Sequence, residues 1–450
     1  MKYLILLFVS LTILFTKPWE ISFAGGLPPI QDSLLLSSSA FSKTPLPLFP
    51  AGLVISNSDS DLPETEKLDR SIEKFMKTWH IRGASFALMK DNKLLYTKGY
   101  GFADKENAEE TDVKHIFRIA SVSKLITAVA IMKLVEEGEL KLSDKVFGPE
   151  GVLNDSIFLK IKDSRAKKIT VEHLLRHQGG FSTAYGDPMF NSVSIARKMK
   201  VTPPADLNTI IRFVLSRRLS FAPGSSTIYS NIGYGILTRV IEKVTGNGYE
   251  EYIRREVLRP AGCFDMHLGR NLYEDRFPNE VRYYEGGAPE LIPACDGSHK
   301  AVPRYYGGNN IEALYGAGGW VASSTELLRF LASIDGDPGI PDILKPETIE
   351  QMTRFSVENL PIGWMHVTPQ GDWLRTGTLS GTSVLMKKQH NGYSWVFISN
   401  TSSWKGPKFP SYINAAITRA LRTVPDWPEK DLFELQLFHP GNLFVIQQPA

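Results

Sequence analysis

Four Ser-x-x-Lys tetrads occur in this chain, starting at Ser71, Ser121, Ser164 and Ser402. A serine and a lysine three apart on a helix share a face. Only Ser121 combines a preceding strand-to-helix passage, Phe117-Arg118-Ile119-Ala120, with a long apolar run after it, 125–135. A hydroxyl at such a helix start lies among unbonded backbone N–H groups and the positive end of the dipole, which favour developing negative charge. Lys124, half-buried beside it, is disfavoured as a cation, and a neutral amine there can take the serine proton. The alternative is a structural serine at a helix start.

Two further stretches carry chemistry. Tyr229-Ser230-Asn231 follows the turn Phe221-Ala222-Pro223-Gly224 and precedes a helical pattern. A phenol near an ammonium is biased toward phenolate and can relay protons. The Asn231 amide can hold a substrate carbonyl or orient Lys124. The same Tyr-x-Asn spacing recurs at Tyr412, and capping of the next helix is the competing use. The third stretch, Arg375-Thr376-Gly377-Thr378 with Gly381, lies on a strand. An edge strand can offer an N–H to an oxyanion and pair with an extended substrate, and glycine permits close approach. Arg375 offers a fork to a substrate carboxylate; the competing view is a solvated arginine at a strand end.

The elements that must position these groups fall into an order. Apolar spacing at Leu68, Ile72, Phe75 and Met76 predicts a helix. Residues 84–89 and 94–100 read as two strands joined at Asp91-Asn92. Helical patterns dominate the middle, at 125–137, 171–176, 207–217, 234–244 and 249–257. Strands return at 373–376, 383–388 and 393–399, with Asn391-Gly392 as a hairpin turn, and a helix follows at 412–421. Isolated strand pairs are not stable, so one antiparallel sheet built from both ends is expected, with the helical middle as a second lobe and the site between them.

The remaining features set bounds. With 51 basic and 48 acidic residues, net charge +3, the chain offers no electrostatic argument for nucleic acid. Lys2, an apolar run from Tyr3 to Phe15 and Ser22-Phe23-Ala24 form a secretory signal pattern over 1–24. The run is too short to span a bilayer comfortably, so no stable membrane span is expected after signal removal. Residues 25–63 read as a Pro/Ser/Leu-rich linker or arm, and 426–450 as an irregular tail. Cys263 and Cys295 either form a bridge or stay as two buried thiols. His173 and His177 lie four apart and lack the glutamate of a His-Glu-x-x-His zinc pattern, so a structural role is expected.

Taken in order, Ser-x-x-Lys, Tyr-x-Asn and an Arg-Thr-Gly triplet resemble the class C β-lactamase and penicillin-binding-protein-like serine hydrolases. The likeness extends to His173-Leu174-Leu175-Arg176-His177 with Gly179-Gly180, to Pro223-Gly224, to Gly318-Gly319-Trp320-Val321-Ala322-Ser323 and to Gly363-Trp364, and it runs from about Leu68 to Leu421. It implies an α+β fold: an antiparallel sheet flanked by helices, with an inserted, mostly helical lobe. The hydrolase domain would span 64–425, with its sheet lobe at 64–118 and 310–425 and its helical lobe at 119–309. The resemblance implies Ser121 as acylated nucleophile, Lys124 as its activator and Tyr229 as general base. Asn231 would bind substrate, and the N–H groups of Ser121 and Thr378 would form the oxyanion hole. No cofactor or metal is implied. The family's triplet usually begins with Lys or His, so Arg375 is a departure that weakens the case for efficient β-lactam turnover. The expected function is an exported hydrolase, periplasmic or extracellular. Its substrates would be peptides of D-amino-acid or cell-wall type, or small esters. A β-lactamase and a non-catalytic penicillin- or muropeptide-binding protein are the alternatives.

Overall fold

The computed structural model describes residues 55–435 apart from 185, 355 and 357–359. The signal segment 1–24, the arm up to 54 and the tail beyond 435 lie outside the described residues.

Helix α1 (Glu66–Trp79) comes first, its apolar stripe Leu68, Ile72, Phe75 and Met76 buried. Strands β1 (Gly83–Lys90) and β2 (Lys93–Asp104) form the expected hairpin. Asp91 and Asn92 take φ of 49° and 63°, as a two-residue hairpin turn of this twist requires. With β3 (Glu109–Glu110), β4 (His366–Val367), β5 (Trp373–Leu379), β6 (Thr382–Lys388) and β7 (Tyr393–Ser399) they make an antiparallel sheet in the order β4-β5-β6-β7-β1-β2-β3. The two ends of the chain meet where β1 pairs with β7, from Ala84 opposite Ser399 to Lys90 opposite Tyr393.

Side-chain alternation sorts the two faces. Phe86 and Leu88 of β1 join Phe75, Phe397, Phe409 and Ile413 in a layer under α1 and the late helix at Phe409–Leu421. Ala87 and Met89 point into the larger core shared with the helical lobe. The sheet is thus covered on both faces, and β1 is buried almost throughout.

Three features depart from the sequence reading, and a fourth settles an alternative it left open. Phe117–Arg118, Trp320–Ala322 and His267–Leu268 form a second, three-stranded sheet. Residues 55–61, placed in the arm, dock on β2: Asn57 accepts the Gly99 N–H at 2.8 Å, and the Ser60 hydroxyl accepts from Thr97 N–H at 3.0 Å. The early tail docks too, Asp431 accepting the Leu94 N–H at 2.9 Å. Both cysteines are free and buried, so the bridge is not made; the Cys263 thiol instead faces the Glu326 carbonyl at 3.3 Å.

Candidate active site

The Phe117–Arg118 strand aims the chain at the site. Phe117 pairs with Ala322 and Arg118 with Val321, and the Ile119 N–H continues the ladder to the Trp320 carbonyl at 3.0 Å. Ala120 then turns left-handed, with φ of 46°, a conformation that costs a residue with a Cβ about 1–2 kcal/mol. Residues Ala120–Val122 form a short 3₁₀ turn, and α2 (Ser123–Glu136) follows. Ser121 therefore sits in the turn just before the helix. Gly377 of β5 faces that turn so closely that a Cβ there would lie 2.3 Å from the Ile119 oxygen and 3.2 Å from the Ser121 nitrogen. Only glycine fits.

Helix α2 is apolar on nearly all sides and buried from Ser123 to Met132. This draws Lys124 into the interior, where it is 0% exposed. Its Nζ donates to Ser121 Oγ at 3.2 Å, to Asn231 Oδ1 at 2.7 Å and to the Ala317 carbonyl. These three acceptors match the three N–H donors of an ammonium. Burial lowers the Lys124 pKa and Arg375 lowers it further; Tyr229 and Asp187 oppose them, and the net shift is downward.

Tyr229 is placed by backbone bonding between two loops. The Ile228 N–H donates to the His177 carbonyl at 3.1 Å, Gly224 to Gln178 at 3.1 Å and Ser220 to Gly180 at 2.8 Å. A Cβ at Gly180, whose φ is +80°, would meet the Phe221 carbonyl at 2.5 Å. The Gly-Gly step after the histidine pair thus lets the two loops close on each other. Tyr229 Oη then lies 2.7 Å from Ser121 Oγ, and 38% of the residue stays open to solvent, as a group that must meet substrate requires. Crowding of the phenol pushes its pKa up, but the Lys124 and Arg375 charges outweigh this and bring it below the ordinary value.

Ser230, not Asn231, caps the next helix, Asn231–Thr245, by accepting the Gly233 N–H at 3.1 Å. Asn231 is left to reach sideways. Its carbonyl oxygen takes Lys124, and its Nδ2 donates to Asp187 Oδ2 at 2.6 Å.

Arg375 differs from expectation. It is 1% exposed, and its Nε and Nη2 both donate to the Ser121 carbonyl oxygen, at 2.9 and 2.6 Å. The carboxylate-binding role is therefore corrected. The fork is closed on the nucleophile's own backbone, and its charge acts on Lys124, Tyr229 and His177 from inside. Alternation puts Arg375 and Gly377 on the face toward Ser121 and Thr376 and Thr378 on the other. The latter two can serve this site only through their backbone. β4 pairs with β5 only at Trp373 and Leu374, so beyond them β5 presents an outer edge.

The two histidines part company. His173 Nδ1 accepts the Thr170 N–H at 3.2 Å and closes a capping box. His177 lies against Tyr229, ring centroids 4.5 Å apart, with Nδ1 accepting the Ser230 N–H at 3.2 Å. Burial, then Lys124 and Arg375, hold its pKa well below the usual value, so it backs the phenol as a neutral ring. Ser121, Lys124, Tyr229, Asn231, Arg375 and Gly377 thus come together. Asp187, His177 as a support of Tyr229, and the Ala317 carbonyl were not foreseen. Among the described residues there is no group of three His, Cys, Asp or Glu side chains arranged to hold a metal ion.

Comparison with known proteins gives concordant findings. The family model described as Beta-lactamase matches residues 68–417. Protein flp of Staphylococcus aureus strain COL is 24% identical over 374 residues, 79% of this chain and 67% of that protein. Esterase EstB of Burkholderia gladioli is 27% identical over 318 residues, 66% of this chain and 77% of the esterase. The octameric penicillin-binding protein homologue from Pyrococcus abyssi superposes with a TM-score of 0.59 at 25% identity, over 82% of this chain and 79% of that one. The D-amino acid amidase from Ochrobactrum anthropi SV3, complexed with D-phenylalanine, does so with a TM-score of 0.61 at 21% identity, over 81% and 99%.

Proposed function

Because this chain belongs to the Beta-lactamase family, whose fold it shares, we propose that it is an exported serine hydrolase. It would act through an ester on Ser121, on D-amino-acid or cell-wall-type peptides or on small esters. One observation carries the catalytic part: the Ser121 hydroxyl has both Lys124 Nζ and Tyr229 Oη within 3.2 Å, which is hydrogen-bond reach for proton transfer. Lys124 already meets three acceptors, whereas the phenol has a lowered pKa and opens to solvent. Tyr229, paired with Lys124 as one titrating unit, takes the Ser121 proton as Oγ attacks the substrate carbonyl. The N–H groups of Ser121 and Thr378 receive the oxyanion. Tyr229 then returns the proton to the departing amine or alcohol, and water releases the acyl group by the same route reversed.

The substrate range is supported by the relatives named as an esterase and a D-amino acid amidase. Export is supported by the signal pattern in 1–24; among the described residues no helix is long and apolar enough to cross a membrane. A β-lactamase would use the same acylation. It ranks second because the cation that opens the third motif is closed on the Ser121 carbonyl and does not offer itself to a β-lactam carboxylate.

The test is fluorophosphonate labelling of wild type and Ser121→Ala, beside turnover of p-nitrophenyl esters, D-Ala-D-Ala peptides and a chromogenic β-lactam. Labelling and ester or peptide turnover that vanish with Ser121 are expected. Turnover of the β-lactam alone would reverse the ranking. Equal behaviour of the two proteins would leave a non-catalytic binder.

A further inference from the structure

Asn231 can satisfy Lys124 in only one orientation. Turned the other way, its NH₂ group would face an ammonium, donor against donor. Nothing intrinsic to an amide selects the right face, because its oxygen and nitrogen ends have nearly the same shape. The selection comes from the far side. Asp187 carries a carboxylate, which when ionised only accepts, and its Oδ2 lies 2.6 Å from Asn231 Nδ2. Its other oxygen, Oδ1, accepts the Met189 N–H at 2.9 Å, so the carboxylate is itself held by the backbone.

We propose that Asp187 is a positioning residue for the Ser121–Lys124–Tyr229 centre: it sets the polarity of the Asn231 amide and so keeps a carbonyl oxygen on Lys124. The inference rests on the serine-hydrolase reading and deepens it. Asp187 also supplies the negative charge of a site otherwise crowded with cations. The charged and titratable groups around Lys124 are Tyr229 just before the Asn231–Thr245 helix, Tyr234 within it, whose ring centroid is 5.8 Å from Nζ, Arg375 on β5, His177 after the helix Val171–Leu175, and Asp187 itself. Arg375 pushes the Lys124 pKa down and Asp187 pushes it up. Loss of the Asp187 charge therefore makes the Lys124–Tyr229 unit give up its proton at lower pH.

Asp187→Asn is the informative variant. Asparagine caps a turn as well as aspartate does, so the Met189 bond survives, while the fixed acceptor and the charge go. With p-nitrophenyl butyrate as probe, kcat/KM should fall roughly tenfold, chiefly in kcat, the scale of coupling between directly bonded neighbours. The acid limb of the pH profile should move down by about half a unit. In an Asn231→Ala background the same substitution, compared on the pH plateau, should cost less than about twofold, because the amide it orients is gone and only the shift of the acid limb remains. A limb that stays in place, or an equal loss in both backgrounds, overturns the proposal, since a merely structural aspartate would lower activity without either signature. The parent reading fails differently: wild type would then show no Ser121-dependent turnover at all, and the positioning role would fall with it.

Discussion

Arg375→Met removes the guanidinium and keeps an unbranched, apolar side chain of similar reach. The wild-type residue gives the Ser121 carbonyl two charge-assisted N–H bonds, at 2.9 and 2.6 Å. A bond of this type contributes about 1.5–3 kcal/mol, and two on one oxygen do not add fully. That carbonyl keeps the Ser123 N–H, so the variant does not leave it wholly unpaired. The variant also relieves the desolvation of a buried cation. The balance is a loss of about 1–3 kcal/mol, read as a lower urea midpoint. The kinetic consequence follows from place. The bonds brace a turn already strained at Ala120, and a shift of about 1 Å at a nucleophile costs on the order of 100-fold in rate. Because Arg375 also lowers the pKa of Lys124 and Tyr229, its removal raises both, and the acid limb moves to higher pH, opposite in sign to Asp187→Asn. The assay compares a neutral ester, p-nitrophenyl butyrate, with mono-p-nitrophenyl succinate, which bears a carboxylate. Equal losses within about twofold are expected, since the arginine acts on the enzyme's own backbone. A loss confined to the succinate ester, with stability unchanged, would refute the reasoning and restore the fork to the substrate.

Lys124→Ala and Tyr229→Phe should each lower kcat by at least about 100-fold, the scale of lost proton-transfer assistance; a wild-type-like rate in stopped-flow ester hydrolysis removes that residue from the mechanism. Glu326 should tie stability to pH. Burial raises its pKa to about 7, against the two backbone N–H groups it accepts from Phe264 and Asp265. A carboxyl raised in the folded state stabilises fully below its unfolded pKa, near 4.5, and loses that contribution as pH rises through about 7. The wild-type urea midpoint should therefore fall across that window by the equivalent of roughly 3 kcal/mol, and Glu326→Gln should flatten the slope.

Much of this was legible beforehand because physical pattern and geometry coincide. Ser121 stood out among four tetrads by what surrounds it, and those surroundings are the strand that pairs with Trp320–Ala322 and the buried α2. The long strands announced themselves through alternation and their turns. Trp320–Ala322 has three residues, too few to show a period. The docking of residues 55–61 rests on one apolar residue, Ile55, buried in the larger core, and on Asn57 and Ser60 side chains that meet backbone groups, too little to make a pattern. Asp187 is a lone acid in a loop, and only three-dimensional proximity gives it meaning. Arg375 is different, because its orientation was readable. In Trp373-Leu374-Arg375-Thr376-Gly377-Thr378-Leu379 it shares parity with Trp373, Gly377 and Leu379, the inward set. Parity outranked the expectation of a solvent-facing cation because the Ser121 carbonyl waits inside to receive it.

The pairing of β1 with β7 has a consequence for biosynthesis. The strand at the heart of the sheet leaves the ribosome roughly 300 residues before its partner, an interval of about 15–60 s at ordinary elongation rates. Throughout it, one rim of the newborn hairpin displays a ladder of unmet amide and carbonyl groups flanked by Phe86 and Leu88, a template for sticking to other nascent chains. A translation product released before residue 393 is accordingly an aggregation seed rather than a partial enzyme.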